Sequence, residues 1–366
     1  MFNFGSIYLN ESIGYTVQEV SVVIAIGQII GMLSSLLGGS LSDKYGHKWI
    51  LFIGVSLLGS SAMLYLIHVP LLVIVLWCAL NAGLGLSAVS GQGYLTLATT
   101  EQNIGVSSAL YNWGYTIGGA VSITIATAIL GEDNFAALGI ALMGTGAIVA
   151  SIATTLPVLR HTAMPTTSTQ NTVGYKVLYR HHVLILLSLR FLPTTFYGVM
   201  SLLPLIIKHV SNDNATVALY ITGSSIFASI TQLIAGRAAD KFGIKLPAQL
   251  GFVAILIAAS GFVLIGDALW SLFVFGFIGL GAAWALATLL PSMVTRAVEP
   301  DIRGRVFGSL HLVWTIAMAL GALIGGNFIE INFALPFLVV GALNLLALGL
   351  TIPFFQMTAR KSHTPI

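Results

Sequence analysis

Apolar runs about as long as the ~20 residues an α-helix needs to cross a hydrocarbon core recur along the chain, broken by Gly, Pro and clusters of charge. The first set lies near residues 17–38, 48–68, 70–97, 104–130 and 134–156. Five spanning helices are predicted there. The pattern then stops between Pro157 and His182, where Arg160, His161, Pro165, a Thr/Ser run, Lys176 and Arg180 give the composition of a linker. Six more runs follow, near 183–207, 214–235, 247–266, 269–295, 304–328 and 332–355. The predicted organisation is an N-terminal bundle over 1–156, a cytoplasmic linker over 157–182 and a C-terminal bundle over 183–366.

Composition fixes what surrounds these helices. Of the 366 residues 57% are hydrophobic and only 7% charged, against about 25% charged in soluble domains. A chain with so little charge has no means of covering itself in water, so the fold class is an all-α, multi-pass membrane bundle whose partner is the lipid bilayer. A barrel would show short alternating segments instead. The net charge of +3 is too small to point to nucleic acid. The single cysteine, Cys78, lies in an apolar run and cannot form an intrachain disulfide. No metal-ligand cluster, Walker loop, nucleotide fingerprint or nucleophile elbow is present, so neither a cofactor nor enzyme activity is expected.

The cations set an orientation. If the helices alternate, Lys44, Lys48, Arg160, Lys176, Arg180, Arg237, Lys241, Lys245, Arg296, Arg303, Arg305, Arg360 and Lys361 all fall on one side. The positive-inside rule makes that side cytoplasmic, which puts the chain in the plasma membrane (the inner membrane of a bacterium) with its C-terminus in the cytoplasm. Of the 15 Lys and Arg residues, only Lys208 and Arg190 depart.

An internal repeat accounts for the uneven division into five and six. Shifting the chain by 197 positions lays Gly39, Asp43, Lys44, Tyr45, Gly46 and Lys48 on Gly236, Asp240, Lys241, Phe242, Gly243 and Lys245. At nearly the same shift, Glu101 before Gly105 meets Glu299 before Gly304. Met1 then falls opposite Gly198, inside the run that opens near Val183, so the first repeat is expected to lack about 15 residues of its opening helix. The expectation is eleven complete helices and a partial first one, in two pseudo-symmetric bundles.

The segment Gly39-Ser-Leu41-Ser-Asp43-Lys44-Tyr-Gly46-His47-Lys48 closely resembles the signature GxLxDRxGRK of the major facilitator superfamily, with Lys44 and His47 in place of arginines. Gly236 to Lys245 resembles its degenerate second copy. The resemblance extends over the whole chain and implies the major facilitator fold. In physical terms, Gly39 is expected to permit close helix approach and Gly46 a tight turn, and Asp43 to sit at the positive end of a neighbouring helix dipole. The resemblance implies that this helix begins at Arg303-Gly304-Arg305, with Asp240 facing the helix from Gly105 as its pseudo-symmetric counterpart. These loops also serve topology alone if only their cations matter. A further family pattern, RxxxGxG, reads Ala79-Leu-Asn81-Ala-Gly83-Leu-Gly85 and lacks its arginine.

All twelve Asp and Glu residues fall in loops or at helix ends. Proton coupling through an intramembrane group then rests on His311, or on the missing part of the first helix, or is absent. Arg190 is the one permanent charge inside a run, and Thr194, Tyr197 and Ser201 follow it on one helical face. Two readings stay open for it: a cavity cation that pairs with an anionic or carbonyl-bearing solute, or an arginine that snorkels to the interface. Pro193 and Pro204 are expected to loosen the same helix. His311, with Thr315 one turn on, is a proton carrier or a hydrogen bond between helices. Asn81, Asn112, Tyr115 and Gln232, with Gln28 and Gln92, are the remaining polar candidates. Trp284 is the aromatic one, beside Trp113, Phe196 and Trp314.

The expected function is secondary transport of a small organic solute, amphipathic or anionic, by a monomer working through alternating access. Export is favoured by the resemblance of Pro300–Gly326 to exporter segments. Uptake of an organic anion with Arg190 as counter-ion is the alternative within transport. A non-transporting remnant or regulatory membrane protein is the alternative outside it.

Overall fold

The computed structural model describes residues 2–98, 134–158, 180–298 and 303–361, with helical positions at 121, 125 and 128. The helices are α1 (Phe2–Glu11), α2 (Val17–Tyr45), α3 (His47–Ser60, continued by a 3-10 turn Ser61–Leu66), α4 (Pro70–Ala98) and α5 (Phe135–Thr155). They continue as α6 (His181–Met200), α7 (Leu203–Ser211), α8 (Asn214–Phe242), α9 (Lys245–Ile265), α10 (Leu269–Ala297), α11 (Arg303–Phe328) and α12 (Ala334–Lys361). Among the described residues, ten segments are long and apolar enough to span a membrane. Apart from the helical positions 121, 125 and 128, the predicted span over 104–130 lies outside them, and the short α1 precedes the first of the ten. The chain is therefore all-helical, as expected. Large apolar side chains such as Leu71, Leu219, Leu264 and Ile352 point outward, the reverse of a soluble protein.

The chain divides into two compact units, Met1–Pro165 and Thr166–Ile366. Within each, the repeat is visible in the backbone. The helices α2 and α8 are both 29 residues long, as are α4 and α10. In the first unit α4 packs on α2 and α3, and in the second α10 packs on α8 and α9. Even the caps correspond. Thr16 closes α2 in a capping box with Glu19, while Asp213 closes α8 by accepting from the backbone N–H groups of Ala215 and Thr216 and from the Thr216 hydroxyl. The Thr216 hydroxyl, then these two amides, hold the Asp213 carboxyl below the usual range. A depressed carboxylate pKa means that this cap supports the fold above the ordinary range and is lost as pH falls through the lowered value.

The two signature turns correspond most closely. Gly46 ends α2 at φ +91° and ψ 139°, and Gly243 ends α8 at φ +78° and ψ 159°, a region open almost only to glycine. The expected tight turn at Gly46 is present. Its cations lie on the last turn of α2 and first turn of α3, Lys44 exposed over the Tyr45 ring and Lys48 half-buried over the Trp49 ring. The close approach expected at Gly39 is not there within its unit, since an added β-carbon would meet only Val89 Cγ1, at 3.8 Å. Gly236 has nothing within 4 Å. The neighbouring Gly38 is the tight one, 3.1 Å from Leu86. Gly46→Ala and Gly243→Ala are each expected to cost about 1–3 kcal/mol, read as a lower thermal midpoint of the purified protein. Gly144→Ala, at a helical site with nothing within 4 Å, is the control that should leave the midpoint in place.

Glycines also set the helix spacing around α4. A β-carbon on Gly83 would lie 2.6 Å from the Leu58 backbone nitrogen on α3, and one on Gly85 would enter the Gly31 carbonyl and Ser35 hydroxyl of α2. The two glycines of the RxxxGxG pattern thus serve opposite faces of α4, bringing backbones together where lipid offers no hydrophobic drive for association. In the second unit α6 and α11 meet in the same manner. A β-carbon on Gly198 would lie 2.5 Å from the Met318 carbonyl oxygen, and one on Gly321 would lie 2.8 Å from the Gly198 Cα. The run from Val183 is broken where expected: α6 contains Pro193, ends at Met200, and gives way to α7 with Pro204 in its first turn.

Candidate functional site

The candidate polar and aromatic groups of the second unit lie on four helices, α6, α8, α10 and α11. On α6, Arg190 is half-buried and its Nε is buried without a hydrogen-bond partner among the described residues. Thr194, one turn on, is buried and donates its hydroxyl to the Arg190 carbonyl at 2.6 Å, so this side chain serves the local backbone. Pro193 has no N–H to offer the preceding turn, and Asn344 of α12 reaches across to the Leu192 carbonyl at 3.4 Å.

Tyr197 lies on the Arg190 face of α6 and meets Trp284 of α10 edge to face, with centroids 6.2 Å apart at 80°. From Trp284 the chain of contacts continues along α10. Thr288 donates to the Trp284 carbonyl at 3.0 Å and lies 3.4 Å from Gln232 Oε1 on α8. The Gln232 Nε2 is buried with no partner among the described residues.

On the other side of Arg190 stands α11. Gly321 sits on Gly198 and Gly325 on Leu202, so the two helices run parallel, and the same register brings His311 level with the turn that holds Arg190. The His311 ring stacks on Trp314 with centroids 5.5 Å apart at 26°, and Thr315 donates to the His311 carbonyl at 3.0 Å. Tyr197, Trp284, Thr288 and Gln232 thus form one connected chain across α6, α10 and α8, with Arg190 on the Tyr197 face of α6 and His311 on the neighbouring α11.

Its charge is unbalanced. The described acidic residues of this unit are Asp213, Asp240, Asp267 and Glu330, all exposed and outside the helix centres. A cation inside a span is stable only if something pairs with it, and no carboxylate of the unit's described residues is placed to do so.

The remaining candidates fare differently. Asn81 on α4 is buried, bonds to the Trp77 carbonyl at 2.9 Å and lies against Gly27 of α2, in a helix seam. Asn112, Tyr115, Trp113, Glu101, Gly105 and Glu299 lie outside the described residues, as do the side chains of Asp43, Gln92, Arg303 and Arg305. Lys241 lies over the Phe242 ring, and Asp240 is exposed. Sequence reasoning did not single out Thr288 or Asn344. Neither carries a signal in the sequence beyond being polar in an apolar helix.

The Major Facilitator Superfamily model matches residues 1–297. Over 172 residues the chain is 28% identical to the tetracycline resistance protein, class H, of Pasteurella multocida, covering 44% of this chain and 41% of that protein. The chain thus spans less than half the length of that curated relative. A crystal structure of a variant of the nucleoside transporter NupG shares the fold, with a TM-score of 0.79 at 16% identity over 97% of this chain and 94% of that one.

Proposed function

The chain belongs to the major facilitator superfamily, a family of membrane transporters and not of enzymes, and we propose that it carries a small organic solute across the plasma membrane by alternating access between its two repeat halves. The observation that carries this reading is the placement of Arg190, Tyr197, Gln232, Trp284 and His311 on four helices of one unit, with Tyr197, Trp284 and Gln232 linked through ring contact and Thr288. Polar groups inside a membrane span are costly and mark solute paths. Export is the preferred direction, supported by the similarity to a tetracycline resistance protein. Cells lacking their own drug exporters should accumulate less tetracycline when they express the chain. Equal accumulation at equal membrane abundance rejects tetracycline export.

The orphaned Nε of Arg190 favours a second reading, transport of an organic anion with Arg190 as counter-ion, and His311 beside it as the group that takes up a proton. The cation-rich ends of the helices and the C-terminus face the cytoplasm in both. In a Cys78→Ser background, Ser168→Cys is expected to react with an impermeant maleimide only after permeabilisation. Modification in intact cells reverses the orientation.

A further inference from the structure

We propose that the two signature turns bind the headgroups of anionic phospholipids, the phosphate on a pair of lysines and the acyl chains along the apolar face of the helix that follows. The proposal concerns the cation-bearing end of each unit and does not depend on the solute site.

The repeat builds the same surface twice. At the 197-residue shift, Lys44-Tyr45 and Lys48-Trp49 correspond to Lys241-Phe242 and Lys245-Leu246, around the turn glycines Gly46 and Gly243. Three observations separate this surface from charge that only sets topology. First, its cations are unspent. Lys44, Arg237, Lys241 and Lys245 are exposed, and neither they nor Lys48 form an ion pair among the described residues. Two lysines stand against Asp43 in the first turn, and Arg237, Lys241 and Lys245 against Asp240 in the second, so both turns are cationic and suit the negative headgroups of a cytoplasmic leaflet. Second, the ammonium groups are held beside exposed rings. Lys44 Nζ lies 5.1 Å from the Tyr45 ring centroid and Lys241 Nζ 5.2 Å from that of Phe242, and these rings are 56% and 63% exposed. A ring engages one side of an ammonium and leaves the remaining N–H donors to a phosphate oxygen, while an exposed aromatic at a helix end belongs at headgroup depth. Third, an apolar stripe starts at each turn. On α9, Leu246, Leu250, Val253, Ile257 and Leu264 are all exposed and fall on one helical face; Trp49 and Ile53 are exposed at the equivalent positions of α3. A soluble phosphate would use only the lysines. A phospholipid uses the lysines and the stripe together.

The test compares lipids that differ only in headgroup. Dioleoylphosphatidylglycerol and dioleoylphosphatidylcholine are titrated onto the purified full chain in a neutral detergent, and the bound lipids are counted by native mass spectrometry. Phosphatidylglycerol is expected to fill two tight sites, each at least about ten-fold tighter than phosphatidylcholine, since a cation at the membrane surface is worth about 5-fold in affinity for an anionic lipid. Lys241→Gln with Lys245→Gln should leave one tight site, and adding Lys44→Gln with Lys48→Gln should leave none. The same four positions changed to Arg should keep both. Arg160→Gln with Lys176→Gln removes two cations from the linker and should also keep both. Equal binding of the two lipids, or an equal loss in the linker pair, overturns the proposal and leaves the lysines a topological role. Displacement by inorganic phosphate as effective as by phosphatidylglycerol overturns it in favour of a soluble anion. The wild-type comparison of the two lipids decides even where the fourfold variant does not fold.

Discussion

Arg190→Ala is expected to abolish measurable binding of an organic anion, and Arg190→Lys to restore it only in part. A charge-assisted hydrogen bond contributes about 1.5–3 kcal/mol, and a bidentate guanidinium pair makes two of them in a fixed plane. Lysine supplies the charge without the fork, so the lysine variant should recover attraction but not orientation. The competing account of Arg190, an arginine whose stem packs while its head reaches the interface, makes the opposite prediction. Lysine then substitutes almost fully, and alanine lowers folded yield and not affinity. The buried Nε favours the first account. Affinity measured on monodisperse variants decides, and wild-type affinity in the alanine variant removes Arg190 from the site.

The helices and the repeat were legible in the sequence because each leaves a mark that does not depend on which way a side chain faces. Length and apolarity delimit a span, and Gly46 and Gly243 announce turns that other residues cannot make. The span ends were read short at α2 and α8, where the signature charges Asp43, Lys44, Asp240 and Lys241 ride on the last helical turns, past the end of the apolar run. Helical faces were harder. A helix that is apolar all round has no amphipathic stripe to show which side meets a neighbour and which meets lipid. Asn81 and Gln232 therefore looked alike, yet one lies in the α2–α4 seam and the other joins the Tyr197–Trp284 chain through Thr288. Arg190 stood out because a charge in a span is rare enough to be read alone.

At Gly39 the expected approach is absent within its unit for a related reason. The signature spacing marks the position but not the neighbour; the Gly321-to-Gly325 spacing is that of a packing helix, and which backbone Gly85, Gly198 and Gly321 each admit is visible once two helices are laid side by side. Helix-packing glycines and turn glycines are the same letter in the sequence. The sign of φ separates them in the structure, and the β-carbon each would carry shows what stands in its way.

Gly321→Leu is expected to have the largest structural effect of any single change in the second unit. Its β-carbon would enter the Thr195 carbonyl and lie 2.8 Å from the Gly198 Cα; both obstacles are backbone, and Gly198 has no side chain to retract. Overpacking an ordinary core costs about 1–3 kcal/mol, with flexible side chains absorbing part of the strain. Here α11 must move away from α6 as a body, and with it goes the register that brings His311 to Arg190. Two losses should therefore appear together, a fall in monodisperse yield and thermal midpoint, and a loss of anion binding in whatever fraction folds. Gly349→Leu, at a helical position with nothing within 4 Å of its added β-carbon, should show neither. A Gly321→Leu protein with wild-type yield and affinity would mean that the α6–α11 contact does not position the cluster, and that Arg190 is held by its own helix alone.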